Sequence, residues 1–160
     1  MPKHYTIVFT PSTWQAFRAL PKKALGFRRT LASSLNKIEE GDELLCYLAE
    51  RMTWCGVLVV AGKPYESKEH IFSAKHGLPL ILDVDSICLL DQQQEIPVKT
   101  KALWDRLERF KEEDHRVNGW AVKVGLIRSL RKLSSSDATT LKEAILDAKH
   151  RAAKGASLQA

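Results

Sequence analysis

The chain has 160 residues, 44% of them apolar, which is enough for one domain with a proper core. No apolar run approaches the ~18 residues that cross a bilayer, so a membrane-spanning helix is excluded and no membrane partner is expected. The formal charge of +6 is uneven: residues 1–37 hold seven basic side chains (Lys3, Arg18, Lys22, Lys23, Arg28, Arg29 and Lys37) and no Asp or Glu, while the remainder carries 18 basic and 19 acidic residues. Such a local field suits a polyanion such as nucleic acid, and equally suits a solvated face.

In chain order, His4 to Thr10 reads as a strand stopped by Pro11. Ser12 or Thr13 then caps a helix to Leu20, with Trp14, Phe17 and Leu20 at helical spacing. Pro21-Lys22-Lys23 and Gly26 predict a loop. Arg29 to Ile38 predicts a second helix, with Leu31, Leu35 and Ile38 on one side. Gly41-Asp42 is a turn that opens an apolar run from Glu43 to Ala49, and Trp54 to Val60 is a second such run. Their length and their Val, Tyr and Trp content predict adjacent β-strands. Gly62 to Gly77 reads as an irregular crossing loop containing Pro64, Tyr65 and Phe72, and Leu78 to Leu90 as a strand starting at an edge or bend because of Pro79. Pro97 ends a short extended piece. Thr100 to Phe110 predicts a helix with Leu103, Trp104, Leu107 and Phe110 inward, followed by a charged loop over 112–118. A last helix over 133–153, capped at Ser134 to Ser136, carries Leu141, Ile145 and Ala148 inward. Residues 1–153 are thus expected to form a single domain, and 154–160 a frayed tail. Strands crossed by short helices predict an α+β fold around a small mixed or antiparallel sheet that curls into a barrel.

Chemistry-bearing patterns are sparse. Cys46, Cys55 and Cys88 form no C-x-x-C pair and sit in apolar runs, as reduced core residues of a cytoplasmic protein do, and no signal peptide precedes the first strand. Asp83 and Asp85 share one side of a strand, but no third carboxylate follows at a nuclease spacing, which makes an ordinary exposed face far commoner. His70 and His76 lack zinc-ligand spacing towards Cys55 or Cys88, so no metal is expected. Gly62-Lys63 lacks the preceding glycines of a phosphate loop, and no Gly-x-Ser-x-Gly occurs. Neither an enzyme activity nor a cofactor is therefore expected.

Four pieces of the sequence, spanning residues 4–147, carry a resemblance: the first strand running into Thr10-Pro11-x-x-Trp14; Gly26 followed by Ile38-x-x-Gly41-Asp42 and Tyr47; Trp54-x-Gly56-Val57 with Pro64-Tyr65 and Ile71-Phe72; and Trp120 followed by Ser129-Leu-Arg131-x-Leu133-Ser134 and Asp137. In this order they resemble the EVE domain, a member of the PUA-like superfamily related to the YTH readers of modified bases. The resemblance implies a PUA-like mixed β-barrel of about five strands flanked by helices. It also implies recognition of a modified, for example methylated, base flipped from DNA or RNA into an aromatic-lined pocket. On that reading Thr10, Pro11, Trp14, Leu25, Gly26, Tyr47, Trp54 and Phe72 form the pocket, Trp54 and Phe72 being its aromatic walls, while Trp14 and Tyr47 stand nearer to the core. Lys22, Lys23, Arg28 and Arg29 meet backbone phosphates at its mouth, and an effector protein is a further partner. Stacking and edge hydrogen bonds offset the cost of unstacking a base, and a methyl group adds roughly 0.8 kcal/mol of burial. Leu25 stands where the family carries an aromatic, which removes a stacking face worth about 1–3 kcal/mol, with Phe27 as a substitute. Ile127-Arg128 stands where it carries Arg-Gly. A small-molecule or protein-interaction domain on the same barrel is the alternative.

Overall fold

The computed structural model describes residues 2–66, 80–124, 126 and 129–158. Strand β1 (His4–Phe9) runs into helix α1 (Pro11–Ala19), followed by β2 (Ala24–Phe27), a 3-10 turn over Arg29–Leu31 and the short α2 (Ala32–Leu35). Next come β3 (Glu43–Leu48), β4 (Thr53–Val60), β5 (Tyr65–Glu66) and β6 (Leu80–Leu89). The chain continues through β7 (Ile96–Pro97), α3 (Lys101–Trp104), α4 (Trp120–Lys123), β8 (Arg131–Leu133) and the long α5 (Ser135–Leu158). The main sheet path is β2-β6-β4-β3-β1-β8, with β5 added beside β6 and β7 beside β4. Only β1 and β3 are parallel, which makes the sheet mixed. The path among the described residues has six strands, consistent with the expected mixed sheet of about five. No helix among the described residues is long and apolar enough to cross a membrane.

Alternation along β1 divides the interior in two. Tyr5, Ile7 and Phe9 face one core, with Trp14 and Phe17 of α1 and Leu25 and Phe27 of β2, while Val8 faces the other. The second core gathers Tyr47, Trp54, Leu103, Trp104, Leu107, Phe110 and, from α5, Leu141 and Ile145. Gly56 of β4 lies close beneath Trp14 of α1. A Cβ there would stand 2.8 Å from the Cys88 carbonyl oxygen and 3.2 Å from the Trp14 ring.

Several predicted elements take a different form. The cap of α1 is Thr10 rather than Ser12 or Thr13: its hydroxyl accepts the Thr13 N–H (3.2 Å) and the Thr13 hydroxyl accepts the Thr10 N–H (2.9 Å), a complete capping box ahead of Pro11 at the first helical position. The predicted loop at Gly26 is instead strand β2, because Ala24, Leu25 and Phe27 gain burial by pairing with Leu80 to Asp83 of β6, which overrides a weak turn signal. The predicted helix over 29–38 shrinks to one 3-10 turn and α2, though Leu35 and Ile38 are buried as expected. The helix predicted over 100–110 stops at Trp104. Beyond it the Asp137 carboxylate accepts the Glu108 N–H (2.7 Å) and the Arg109 N–H (3.2 Å), so those amides leave the helical ladder while Leu107 and Phe110 stay inward. Residue 137 itself lies in the first turn of α5, whose cap is Ser134 (Asp137 N–H to Oγ, 3.1 Å). That helix continues to Leu158, past the tail expected to fray from residue 154. Of the predicted crossing loop, Tyr65–Glu66 is a strand, and residues 67–79 lie outside the described residues.

Candidate nucleic-acid interface

The two ends of the sheet leave a seam. Among the described residues, strand β8 covers β1 only from His4 to Thr6, so Ile7 to Phe9 have no strand on that side, and β2 pairs with β6 alone. A cavity of about 220 Å³ lies between these free edges, lined by Ile7 to Phe9, Leu25 to Arg28, Thr13, Leu31 and Ser129. Its walls are apolar: Phe9, Leu25 and Phe27 are buried, and Leu31 is half-buried.

Register decides which backbone groups face this space. Along β1 the carbonyls of Lys3 and Phe9 accept from Glu43 and Ala49 on the β3 side, whereas the Thr6 carbonyl accepts from Leu130 and the Val8 N–H donates to Ser129 Oγ (2.9 Å). Even-numbered residues of β1 thus turn to the seam, where Ser129 occupies the place of the missing ladder partner. On β2, Val84 N–H donates to the Lys23 carbonyl, which makes 23 and 84 a hydrogen-bonded pair; alternation then directs the N–H and C=O of Gly26 away from β6 and into the seam. The Thr13 hydroxyl is held in the capping box, and Ser129 Oγ both accepts the Val8 N–H and donates to the Val8 carbonyl (3.5 Å). The cavity therefore combines apolar walls with the N–H and C=O of Gly26 and the second lone pairs of the Val8 carbonyl and Ser129 Oγ. That combination suits a flat, polar-edged ring. Its volume falls below the ~300–1,000 Å³ of sites for drug-sized ligands, so there is room for about one heterocycle.

Of the predicted pocket residues, the seam brings together Leu25 and Gly26. Thr10 is committed to the cap of α1, and Pro11 and Trp14 border a separate cavity of about 460 Å³ with Arg18, Arg51 and Glu95. Trp54 requires correction as a ligand wall. Its relative exposure is 0%, its ring contacts Tyr47 edge-on (centroids 5.4 Å) and stacks on Phe110 (6.2 Å), and no face remains for a guest. Its indole N–H, like that of Trp14, is buried without a partner among the described residues. Tyr47 is 2% exposed, and burial pushes its phenol up to about 12; it borders a third cavity, beside Trp120. Phe72 lies outside the described residues. Phe9, Leu31, Val8, Thr13 and Ser129 were not singled out as pocket residues; the sequence signal for them was the position of two strand ends opposite one another, which only pairing partners reveal.

The basic quarter is partly neutralised by the fold. Lys3 pairs with Asp42 (3.7 Å), Arg18 with Asp91 (2.9 Å) and Arg29 with Glu66 (3.6 Å). Lys23 is turned to the end of α1, its ammonium donating to the carbonyls of Arg18 (2.6 Å) and Leu20 (2.7 Å), which takes it away from a phosphate role. Lys22, Arg28 and Lys37 have no acidic partner among the described residues, and Arg28 is the one that lines the seam. Elsewhere, burial raises the thiols of Cys46, Cys55 and Cys88, all free and buried, which makes them poor nucleophiles. The described residues hold no cluster of three metal-ligating side chains, and Asp83 accepts the Tyr65 hydroxyl (3.0 Å).

No family model and no curated protein matches this sequence. Solved structures do match its fold over most of its length. The YTH domain of Zygosaccharomyces rouxii MRB1, in complex with N6-methyladenosine RNA, aligns with TM-score 0.60 at 11% identity, over 90% of this chain and 84% of that one. Human THYN1, in complex with DNA containing 5-methylcytosine, aligns with TM-score 0.58 at 11% identity, over 89% and 97%. Rpa0253 from Rhodopseudomonas palustris aligns with TM-score 0.56 at 13% identity, over 89% and 92%. The fold is PUA-like. At these identities the likeness extends to the architecture of the YTH and THYN1 domains, a curled mixed sheet flanked by helices, and assigns no particular family.

Proposed function

We propose that this chain is a nucleic-acid-binding module that accepts one modified base, flipped from its stack, in the seam between β1 and β2. The observation that carries this reading is the pairing, in one cavity, of apolar walls from Phe9, Leu25, Phe27 and Leu31 with the N–H and C=O of Gly26 and the hydrogen-bonded Val8–Ser129 pair. A base needs both: faces that cover its ring, and donors and acceptors that meet its edge. The Zygosaccharomyces rouxii YTH domain and human THYN1, which share the fold, are bound to methylated RNA and methylated DNA, respectively. The pocket so read retains Leu25 and Gly26 from the sequence expectation, exchanges Trp54 for Phe9 and Phe27, and uses Arg28 and Lys22 rather than Lys23 towards phosphates. Binding, without a catalytic step, is the activity. A cavity walled by Leu25 rather than an aromatic also suits a small apolar ligand, which is the second reading.

Fluorescence polarisation separates the two. Oligonucleotides carrying N6-methyladenosine or 5-methylcytosine should bind more tightly than their unmodified counterparts, with affinity falling as salt is raised. Equal affinity for modified and unmodified strands, or affinity indifferent to salt, rejects a reader of modified bases.

A further inference from the structure

Beside the seam lies a second cavity of about 450 Å³, bordered by Val8, Tyr47, Met52, Gly119, Trp120 and Leu126. Val8 lines both spaces, so one residue of β1 separates them. Trp120 is half-buried and held in place by its edge contact with Trp104 (centroids 5.7 Å). The Lys99 ammonium stands 5.4 Å from the Trp120 ring centroid, at a cation–π distance, and Lys99 is exposed. Met52, in the lining of the same cavity, is 38% exposed and adopts φ +53, a conformation uncommon for a residue with a side chain. Two backbone bonds fix that turn: Met52 N–H to the Ala49 carbonyl (3.3 Å), and Val98 N–H to the Met52 carbonyl (2.8 Å). Met52 thus shares the lining of this cavity with Trp120 while part of its side chain stays exposed.

We propose that this cavity takes the base adjacent to the modified one, so that the nucleic acid bound is single-stranded; the proposal rests on the reading of the seam given above. A fixed aromatic and a polarisable thioether form a stacking platform, and the exposed Lys99 ammonium, which a base stacking on that ring would displace, supplies the phosphate contact. Arg28 lines the seam and Lys99 stands over the Trp120 ring that borders the second cavity, so a strand running across Val8 has a cation to meet on either side. A duplex that flips one base keeps the neighbours of that base stacked, whereas filling both cavities requires two consecutive bases to leave the stack. The pair of cavities therefore selects strands that have no stack to preserve on that side.

The test uses the full chain and short single-stranded oligonucleotides carrying one N6-methyladenosine or 5-methylcytosine, with either an ordinary nucleotide or an abasic residue at each neighbouring position. On the unsubstituted protein, an abasic neighbour on one side should weaken binding about five-fold or more, the loss expected for one stacked base. Met52→Asp, at an exposed position, and Trp120→Leu should each weaken binding of the intact strand by a similar factor. Neither should respond further to the abasic neighbour, and both should hold the free methylated nucleoside as before. Duplex probes should bind less tightly than the single strands. No abasic penalty on the unsubstituted protein overturns the proposal, as does unchanged strand binding by folded Met52→Asp, the result expected if a protein side chain fills the cavity instead. If methylation brings no gain but the abasic penalty persists on unmodified strands and vanishes in Met52→Asp, the reading of the seam fails and the second cavity stands.

Discussion

Around Trp54, the rings of Tyr47 and Phe110 close a space from which solvent is excluded, and α3 and α5 cover it from outside. At the seam, Phe9 and Phe27 border a space that two strands approach and do not close. Both regions are built from strand residues with bulky apolar side chains, so composition does not separate them. What separates them is backbone pairing. Trp54 sits on β4, which has β3 on one side and β6 and β7 on the other, whereas among the described residues Leu25 to Phe27 and Ile7 to Phe9 have a strand on one side alone. An aromatic between satisfied strands is committed to packing. The same kind of residue beside an edge that no described strand covers has backbone groups next to it, those of Gly26 above all, that a ligand can meet.

The sharpest way to break this contrast is to remove the indole. Trp54→Ala should cost about 3–5 kcal/mol in urea unfolding, a large share of the ~5–15 kcal/mol typical of a domain, because the cavity left is ringed by side chains that cannot collapse fully. Trp54→Phe should lose less and leave oligonucleotide affinity unchanged. A folded Trp54→Phe protein that no longer distinguishes methylated strands would return the ring to the binding site.

A second difference between the regions is readable by pH. Burial raises the Tyr47 phenol from 10.0 to about 12, favouring its neutral form in the folded chain. Since the folded value lies above the unfolded one, the associated stability is present below pH 10 and is lost as pH climbs towards 12, when the unfolded chain releases a proton that the native state retains. Tyrosinate absorbance should accordingly show one phenol titrating late in native buffer and normally in denaturant. Tyr47→Phe should remove that late step and flatten the loss of stability over this window.

Much of the frame could be read in advance because local signals agreed with tertiary ones. Pro11 stopped the first strand, Gly41-Asp42 opened β3 (φ +94 at Gly41), and the runs from Glu43 and Trp54 paired with each other. Leu103, Trp104, Leu107 and Phe110 were inward as their spacing indicated, although the helix carrying them was shorter. The site was less legible for a physical reason. A pocket wall and a core wall call for the same apolar residues, and they differ only in whether a strand arrives on the far side. The pairing of β2 with β6, across more than fifty residues of sequence, is what turned a supposed loop at Gly26 into one edge of the seam. Likewise, Lys23 looked like a phosphate ligand until the end of α1 supplied two carbonyls for it.

Thr10 tests whether a residue assigned to the pocket by resemblance works there or beside it. Its hydroxyl belongs to the capping box, so Thr10→Ala should lower stability by about 1 kcal/mol, with Thr10→Ser near neutral. Affinity for a methylated oligonucleotide should stay within experimental error of the unsubstituted chain, because Thr13, not Thr10, lines the seam. A loss of affinity larger than the loss of stability would move the pocket towards the cap.

The smallest expected effect is also the most specific. Arg28 is exposed, unpaired among the described residues and at the cavity mouth, so Arg28→Gln should leave thermal unfolding unaltered. If it neutralises one phosphate of a single strand, the slope of log affinity against log salt should become shallower by about 0.7, while the ratio of methylated to unmodified affinity holds constant. Arg29→Gln provides the control, since Arg29 already faces Glu66 across 3.6 Å at the surface and has less charge to offer. Equal slopes for the two variants would mean that the cations of the first quarter act as a diffuse field rather than through the one beside the seam. A changed methyl ratio in Arg28→Gln would instead make this guanidinium a reader of the base edge, which is a different role from holding the strand in register.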